Sequence, residues 1–240
     1  MKESRRGPGP VDARPRGPRT LPGMKFDAPV TLLFDNDGTL LSSMESVVRC
    51  WTRWAREFGI GDEEFAAVEL HGRPARDIVA DLVPAGRVPE ALERIERLEV
   101  EDVPNGGVVP LPGTAELLAS LPEGSWAVVT SATRELAEAR LRAVGIEAPL
   151  VIAADDITRG KPDPEPYLRA AGKLGAEPGN CVVFEDAPAG LEAGRRAGMR
   201  TVGLATTHER GRLRADVVVE NLGSVTTQVT DRGVTVVAED

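Results

Sequence analysis

Short β-branched runs recur along this chain at intervals that leave room for a helix between them, and that rhythm limits the fold more than any other feature. The runs are "VTLLF" (30–34), "WAVVT" (126–130), "LVIAA" (150–154), "CVVFE" (181–185) and "TVGLA" (201–205). Helix-period stretches near 134–144, 164–174 and 188–197 each run to a glycine, Gly145, Gly175 and Gly198, which suits the left-handed position just past a helix end. Near-continuous apolar strands alternating with helices read as α/β, with a doubly wound parallel sheet.

The first two runs are far apart. Residues 42–110 contain no comparable strand but several amphipathic segments, among them "SVVRCWTRWAREFG" and "PEALERIERLEV". This predicts a helical cap domain over 42–110, inserted after the first strand of a core made of 25–41 and 111–240. An insert at that point emerges beside the carboxyl ends of the strands, where open α/β sheets bind ligands, and is placed to act as a lid. The last segment, "VTTQVTDRGVTVVAED", alternates about Asp231-Arg232-Gly233 and reads as a closing hairpin.

Residues 1–24 are rich in Arg, Pro and Gly with almost no apolar residues, so they cannot repay the entropy of folding and are expected to be a disordered tail. Across the whole chain, 41% apolar and 28% charged residues are near globular averages, and no apolar run approaches the roughly 18 residues of a membrane span. A net charge of −9 argues against tracking a nucleic-acid backbone, which needs clustered Lys and Arg. Cys50 and Cys181 match neither a disulfide framework nor a zinc site, and no secretory apolar segment follows the start. The expectation is a soluble cytoplasmic protein, monomer or weak dimer, with no membrane or nucleic-acid partner.

The chemistry-bearing residues stand at strand ends. In "TLLFDNDGTL", Asp35 and Asp37 close the first strand with Asn36 between them. Two like charges that close need a shared proton or a hard, oxygen-seeking cation, although a turn at Asp37-Gly38 with Asp35 as a cap would also account for them. Three further strand ends agree. Thr130-Ser131 offers hydroxyls before a helix, where a phosphate could meet the helix amino terminus. Lys161, in "GKPDPEPY", stands at a helix start with no helix face to explain it. Glu185 and Asp186 close an apolar strand in "FEDAPAG", as metal ligands or as caps for the helix beyond. Together they make a site for a phosphate and a divalent metal.

"FDNDGTL", "VVTSAT", "GKPDPEPY" and "VVFEDAPAGLEAG", in this order and spacing, resemble the four motifs of the haloacid dehalogenase-like superfamily, over about residue 28 to the end. The insert resembles the cap of its β-phosphoglucomutase group. "HGRPARD" (71–77), "WAVVTSATRELAEARL" and the closing hairpin look most like the sugar and polyol phosphatases, including those acting on glycerol phosphate and deoxyglucose phosphate.

The resemblance implies a magnesium-dependent phosphatase for small sugar or polyol phosphate monoesters. Asp35 would be the nucleophile that becomes an aspartyl phosphate, and Asp37 the acid for the departing oxygen and then the base for water. Asp35, the main-chain carbonyl of Asp37 and Asp186 would hold magnesium, with Glu185 beside them. Ser131 and Lys161 would hold the phosphoryl group. Substrate contacts are assigned to Thr39, Ala132 and the cap residues His71 and Arg73. Asn36 stands where the family usually has an apolar residue, and is expected to turn towards the cap and meet a substrate hydroxyl.

Related activities compete with this reading. A halide-removing relative lacks the second Asp, and a phosphonate-cleaving relative needs a cap lysine, whereas residues 41–112 contain none. A binding protein without activity would have lost the nucleophile or metal ligands. A phosphomutase uses the same core residues and remains the alternative.

Overall fold

The computed structural model describes residues 24–26, 30–68, 70, 74–230 and 233–239. The chain opens with strands β1 (Met24–Phe26), β2 (Thr31–Phe34) and β3 (Leu41–Ser42), followed by helices α1 (Met44–Phe58), α2 (Asp62–Ala66), α3 (Ala75–Leu82) and α4 (Val88–Asp102). Strand β4 (Val109–Pro110) and helix α5 (Thr114–Ala119) lead to the regular alternation: β5 (Trp126–Val129), α6 (Arg134–Ala143), β6 (Val151–Ile152), α7 (Glu165–Lys173), β7 (Cys181–Glu185), α8 (Pro188–Arg196), β8 (Arg200–Leu204) and β9 (Val217–Val219). Strands β10 (Val225–Thr230) and β11 (Gly233–Ala238) close the chain.

Among the described residues, six parallel strands form one sheet in the order β6-β5-β2-β7-β8-β9. The chain builds outward from β2 in one direction through β5 and β6, then returns to its other side for β7. That reversal opens a crevice at the carboxyl end of β2, so whatever follows Phe34 is the natural place for a ligand.

The two-residue period of a strand explains why these runs are apolar throughout. Leu32, Phe34, Val128, Val182, Phe184, Val202 and Leu204 point into one buried cluster, together with Leu117 of α5 and Leu141 of α6. Their neighbours Leu33, Ala127, Val129, Cys181 and Val183 point into the opposite cluster, against Tyr167 and Ala170 of α7 and Ala193 of α8. Both faces are covered, and Phe34 stacks on Phe184 with ring centres 4.7 Å apart at the middle of the sheet.

Helices α1, α3 and α4 bury a third cluster of their own, centred on Trp51, Trp54, Ile78, Val79, Ala91 and Ile95. Trp54 Nε1 donates to the Ala91 carbonyl at 2.8 Å, so the largest buried ring of α1 also meets its polar need on α4. The chain leaves and rejoins the sheet layer through an antiparallel two-residue ribbon, Leu41 opposite Pro110 and Ser42 opposite Val109.

Several elements differ from the sequence expectation. The run at 150–154 is a strand only over Val151–Ile152, because residues 154–156 turn into a 3₁₀ helix. Strand β9 and helix α5 are not anticipated by the alternation. Met24, counted with the tail on composition, pairs with Ala238, so the closing β10–β11 hairpin gains a third strand rather than standing alone. Residues 1–23 and the Asp231-Arg232 turn lie outside the described residues. Gly145, Gly175 and Gly198 do take positive φ past their helices. No helix among the described residues is long and apolar enough to cross a membrane.

Candidate active site

Beyond Phe34 the strand geometry persists for one residue, since the Asp35 amide donates to the Phe184 carbonyl at 3.0 Å. The backbone then folds back tightly. The Asn36 carbonyl accepts from the amides of Leu40 at 2.9 Å and Leu41 at 3.2 Å, and Gly38 sits at φ 90°. A Cβ at Gly38 would lie 2.3 Å from Asp186 Oδ2, so glycine is needed there both for its backbone angle and for room. This turn lifts Asp35 and Asp37 to the mouth of the crevice.

Lys161 joins the strand ends. Its Nζ donates to Asp35 Oδ1 at 2.6 Å, to Glu185 Oε1 at 2.6 Å and to the Val129 carbonyl at 2.9 Å, thereby touching residues that end β2, β7 and β5. Its loop is tied down by Glu165, whose carboxylate accepts from the amides of Thr158 at 2.7 Å and Arg159 at 3.0 Å. Burial alone would lower the ammonium's pKa, but Asp35 and Glu185 more than reverse this and raise it.

Glu185 is spent on holding Lys161. Its Oε1 also accepts from the buried Tyr167 hydroxyl at 2.7 Å, and Oε2 from the Ala187 amide at 3.3 Å. A Cβ on Gly190 would lie 1.7 Å from Glu185 Oε1, so α8 can approach this carboxylate only with glycine at that turn. Asp186 is held separately, accepting from Thr39 Oγ1 at 3.3 Å and from the Thr207 hydroxyl.

Asp35, Glu185 and Asp186 bring carboxylate oxygens within 4.8 Å of one another, all buried. Burial, then the Glu185 carboxylate, pushes Asp186 up to about 7. Asp35 is also pushed well above the ordinary carboxylate range by burial, with Lys161 opposing and the other two carboxylates adding to the rise. Three carboxylates face one ammonium, and such surplus negative charge among oxygen ligands fits a hard divalent cation. With Glu185 engaged by Lys161, Asp35 and Asp186 are the side chains best placed for it.

Asp37 is not one of the three clustered carboxylates, and its side chain is 20% exposed. Arg140 Nη1 of α6 donates to its Oδ1 at 3.1 Å, and Asn36 Nδ2 to its Oδ2 at 3.2 Å. The second hand of Arg140, Nη2, donates to Glu99 Oε1 of α4 at 3.0 Å.

Asp35, Asp37, Ser131, Ala132, Lys161, Glu185 and Asp186 line one cavity of about 100 Å³, and Ser43, Trp51, Ile78, Glu99 and Arg140 line it too. Asn36 and Thr39, expected to meet the substrate, are both fully buried and are not among the residues that line this cavity. The short amide of Asn36 reaches the adjacent Asp37 carboxylate, and the Thr39 hydroxyl donates to Asp186. His71 and Arg73 lie outside the described residues. Sequence reasoning missed Glu99, Arg140, Tyr167 and Thr207. The first two read as ordinary polar positions of amphipathic helices, whereas Tyr167 was visible only as the last residue of "GKPDPEPY".

An open parallel sheet carrying a buried carboxylate cluster and a lysine at its topological switch, beside a helical insert, defines an α/β protein whose site suits a divalent cation and a phosphate. Residues 30–198 match the family described as "Hydrolase: haloacid dehalogenase-like hydrolase", and the chain belongs to that family. It is 37% identical over 199 residues to hexitol phosphatase A of Escherichia coli (strain K12), covering 81% of this chain and 92% of that one. It is 40% identical over 202 residues to validoxylamine A 7'-phosphate phosphatase of Streptomyces hygroscopicus subsp. limoneus, covering 80% and 94%. Among solved structures, a hydrolase from Pseudomonas syringae superimposes with a TM-score of 0.72 at 25% identity, covering 81% of this chain and 94% of that one.

Proposed function

We propose that this protein hydrolyses phosphate monoesters of small sugars or polyols through an aspartyl phosphate on Asp35. The observation that carries the reading is the different setting of the two aspartates. Asp35 sits in the buried carboxylate cluster with Lys161 at 2.6 Å, while Asp37, two residues on, stands apart from that cluster and is gripped by Arg140. The relatives named as phosphatases of hexitols and of validoxylamine A 7'-phosphate support the substrate class.

In this reading Asp35 attacks phosphorus, and the bond to the sugar oxygen breaks as Asp37 delivers a proton to it. Asp37 then removes a proton from the water that attacks the aspartyl phosphate, releasing phosphate and restoring Asp35. Lys161 and the Ser131 hydroxyl hold the phosphoryl oxygens, the positioning and charge stabilisation on which phosphoryl transfer depends. Asp35, Asp186 and the main-chain carbonyl of Asp37 would hold magnesium, which when bound offsets the repulsion between a carboxylate and a dianionic phosphate. His71 and Arg73, with Ala132, are assigned to reading the rest of the substrate.

The test is a phosphate-release screen with magnesium across sugar, polyol and nucleotide monophosphates. Release from sugar or polyol esters, lost in Asp35→Asn, is the expected result. No release from any ester, with interconversion of a hexose phosphate instead, would transfer the assignment to a phosphomutase.

A further inference from the structure

We propose that Arg140 is a positioning residue for Asp37, and that Glu99 of the helical insert holds it to that task. The proposal rests on the reading of Asp37 as acid and base, and it adds two residues that none of the four sequence motifs marks for this role.

Arg140 lies inside α6 and is only 3% exposed. Arginines on the helices of an α/β fold ordinarily run their charged end out to water, and a buried guanidinium is tolerated only when its charge and hydrogen bonds are met. Here the charge is met at both terminal nitrogens, by two different parts of the molecule, while Nε is buried without a hydrogen-bond partner. Nη1 reaches Asp37 Oδ1 at 3.1 Å, on the turn after β2, and Nη2 reaches Glu99 Oε1 at 3.0 Å, on α4. Glu99 is itself 6% exposed, and α4 packs on α6 where the insert meets the sheet layer.

The consequence for Asp37 is a carboxylate fixed at each oxygen, Oδ1 by Arg140 and Oδ2 by Asn36. Each oxygen keeps a second lone pair, so the clamp sets the plane of the carboxylate without blocking proton transfer. Asp37, Glu99 and Arg140 all line the same cavity. Because Glu99 belongs to the insert, the clamp is complete only while the insert lies against the sheet. The acid and base of the reaction is thereby registered to the position of the lid.

A purely structural triad tying insert to core would share this geometry, so the test uses readouts that such a tie would not move. The full chain is assayed with glycerol 1-phosphate, whose alkoxide must be protonated as it leaves, and with p-nitrophenyl phosphate in a single turnover, whose leaving group needs no proton. Arg140→Leu is expected to lower kcat on glycerol 1-phosphate by on the order of tenfold to a hundredfold, with KM little changed and the p-nitrophenolate burst largely retained. Arg140→Lys should recover part of the loss, and Glu99→Gln should show a smaller loss of the same pattern. In an Asp37→Asn background, Arg140→Leu should cost nothing further.

Arg140→Leu leaves two carboxylates without their cation. The charge-balanced pair Arg140→Gln with Glu99→Gln therefore serves as the variant that keeps its fold, and it should show the same dependence on leaving group. A loss confined to KM, an equal loss on both esters, or losses that add fully to those of Asp37→Asn would overturn the positioning role. An Asp37→Asn enzyme that handles both esters like the wild type would instead remove the reading of Asp37 on which the proposal stands.

Discussion

The side-chain amide of Asn36 donates to Asp37 Oδ2 at 3.2 Å while its own carbonyl oxygen is buried without a hydrogen-bond partner. One half of the amide is used and the other half is a cost of about 1–3 kcal/mol, the desolvation of an unmet acceptor. Asn36→Leu is therefore expected to melt at the same temperature or higher and to leave KM unchanged. Its kcat should fall several-fold, because one of the two holds on Asp37 is gone. Thermal denaturation alongside steady-state kinetics on one polyol phosphate checks both halves, and an altered substrate range would contradict the buried orientation.

Lys161 lies between Asp35 and Glu185, at 2.6 Å from each. Lys161→Met removes the ammonium and leaves three neighbouring buried carboxylates, which should cost about 3–5 kcal/mol at neutral pH, the usual penalty for breaking a buried pair from one side. Asp35→Asn removes a negative charge instead. It should fold at least as well as the wild type and turn over nothing. Denaturant melts of the two variants should move in opposite directions.

The carboxylate cluster predicts that chelation of divalent ions abolishes phosphate release and that magnesium raises the melting temperature of the metal-free protein. The rise should vanish in Asp186→Asn, whose amide carries no charge to the ion. An equal rise in wild type and variant would place the ion elsewhere.

At the far end of α4, Asp102 accepts from Ser46 Oγ at 2.7 Å and from Arg49 Nη2 at 2.5 Å, tying α4 back to α1. Burial works to raise its carboxyl pKa, but the hydrogen bonds from Arg49, Ser46 and Asn105 outweigh this and bring it down to about 2. A carboxylate held below its unfolded value contributes stability that is fully present above the unfolded pKa. That contribution disappears as pH falls through the folded one. Asp102→Asn should thus cost about 1–2 kcal/mol at pH 7 and almost nothing near pH 2, after discounting for a partly exposed arginine. Melts of the two proteins compared between these limits would converge on acidification.

The alternation of "CVVFE" and its counterparts with helices was enough to reach the parallel sheet, since strands buried on both faces must be apolar at every position. The carboxylates and Lys161 were legible for a related reason: charged residues closing such strands have no packing explanation. Arg140 and Glu99 were not legible, because each sits on a helix where a polar residue is ordinary. Only the approach of α4 to α6 makes them partners across 41 positions of sequence. The burial of Asn36 against Asp37 was not legible, since a residue between two strand-end aspartates can turn to either side and its sequence does not say which. Strand β1 was hidden because three residues beside a polar tail carry no period to read.

The ribbon of Leu41–Ser42 against Val109–Pro110 sets the start and the finish of the helical segment side by side. Topologically the segment is a loop on a hairpin, so its length and content are invisible to the register of the sheet. Replacing residues 43–108 by Asn-Gly would turn β3 and β4 into the arms of an ordinary tight hairpin. The shortened chain is expected to keep its six-stranded sheet and its Lys161 contacts while losing the grip on Asp37 that passes through Glu99. The same adjacency makes the segment transplantable: a different helical roof could be spliced at these two positions, giving the same phosphate chemistry a new clientele of substrates.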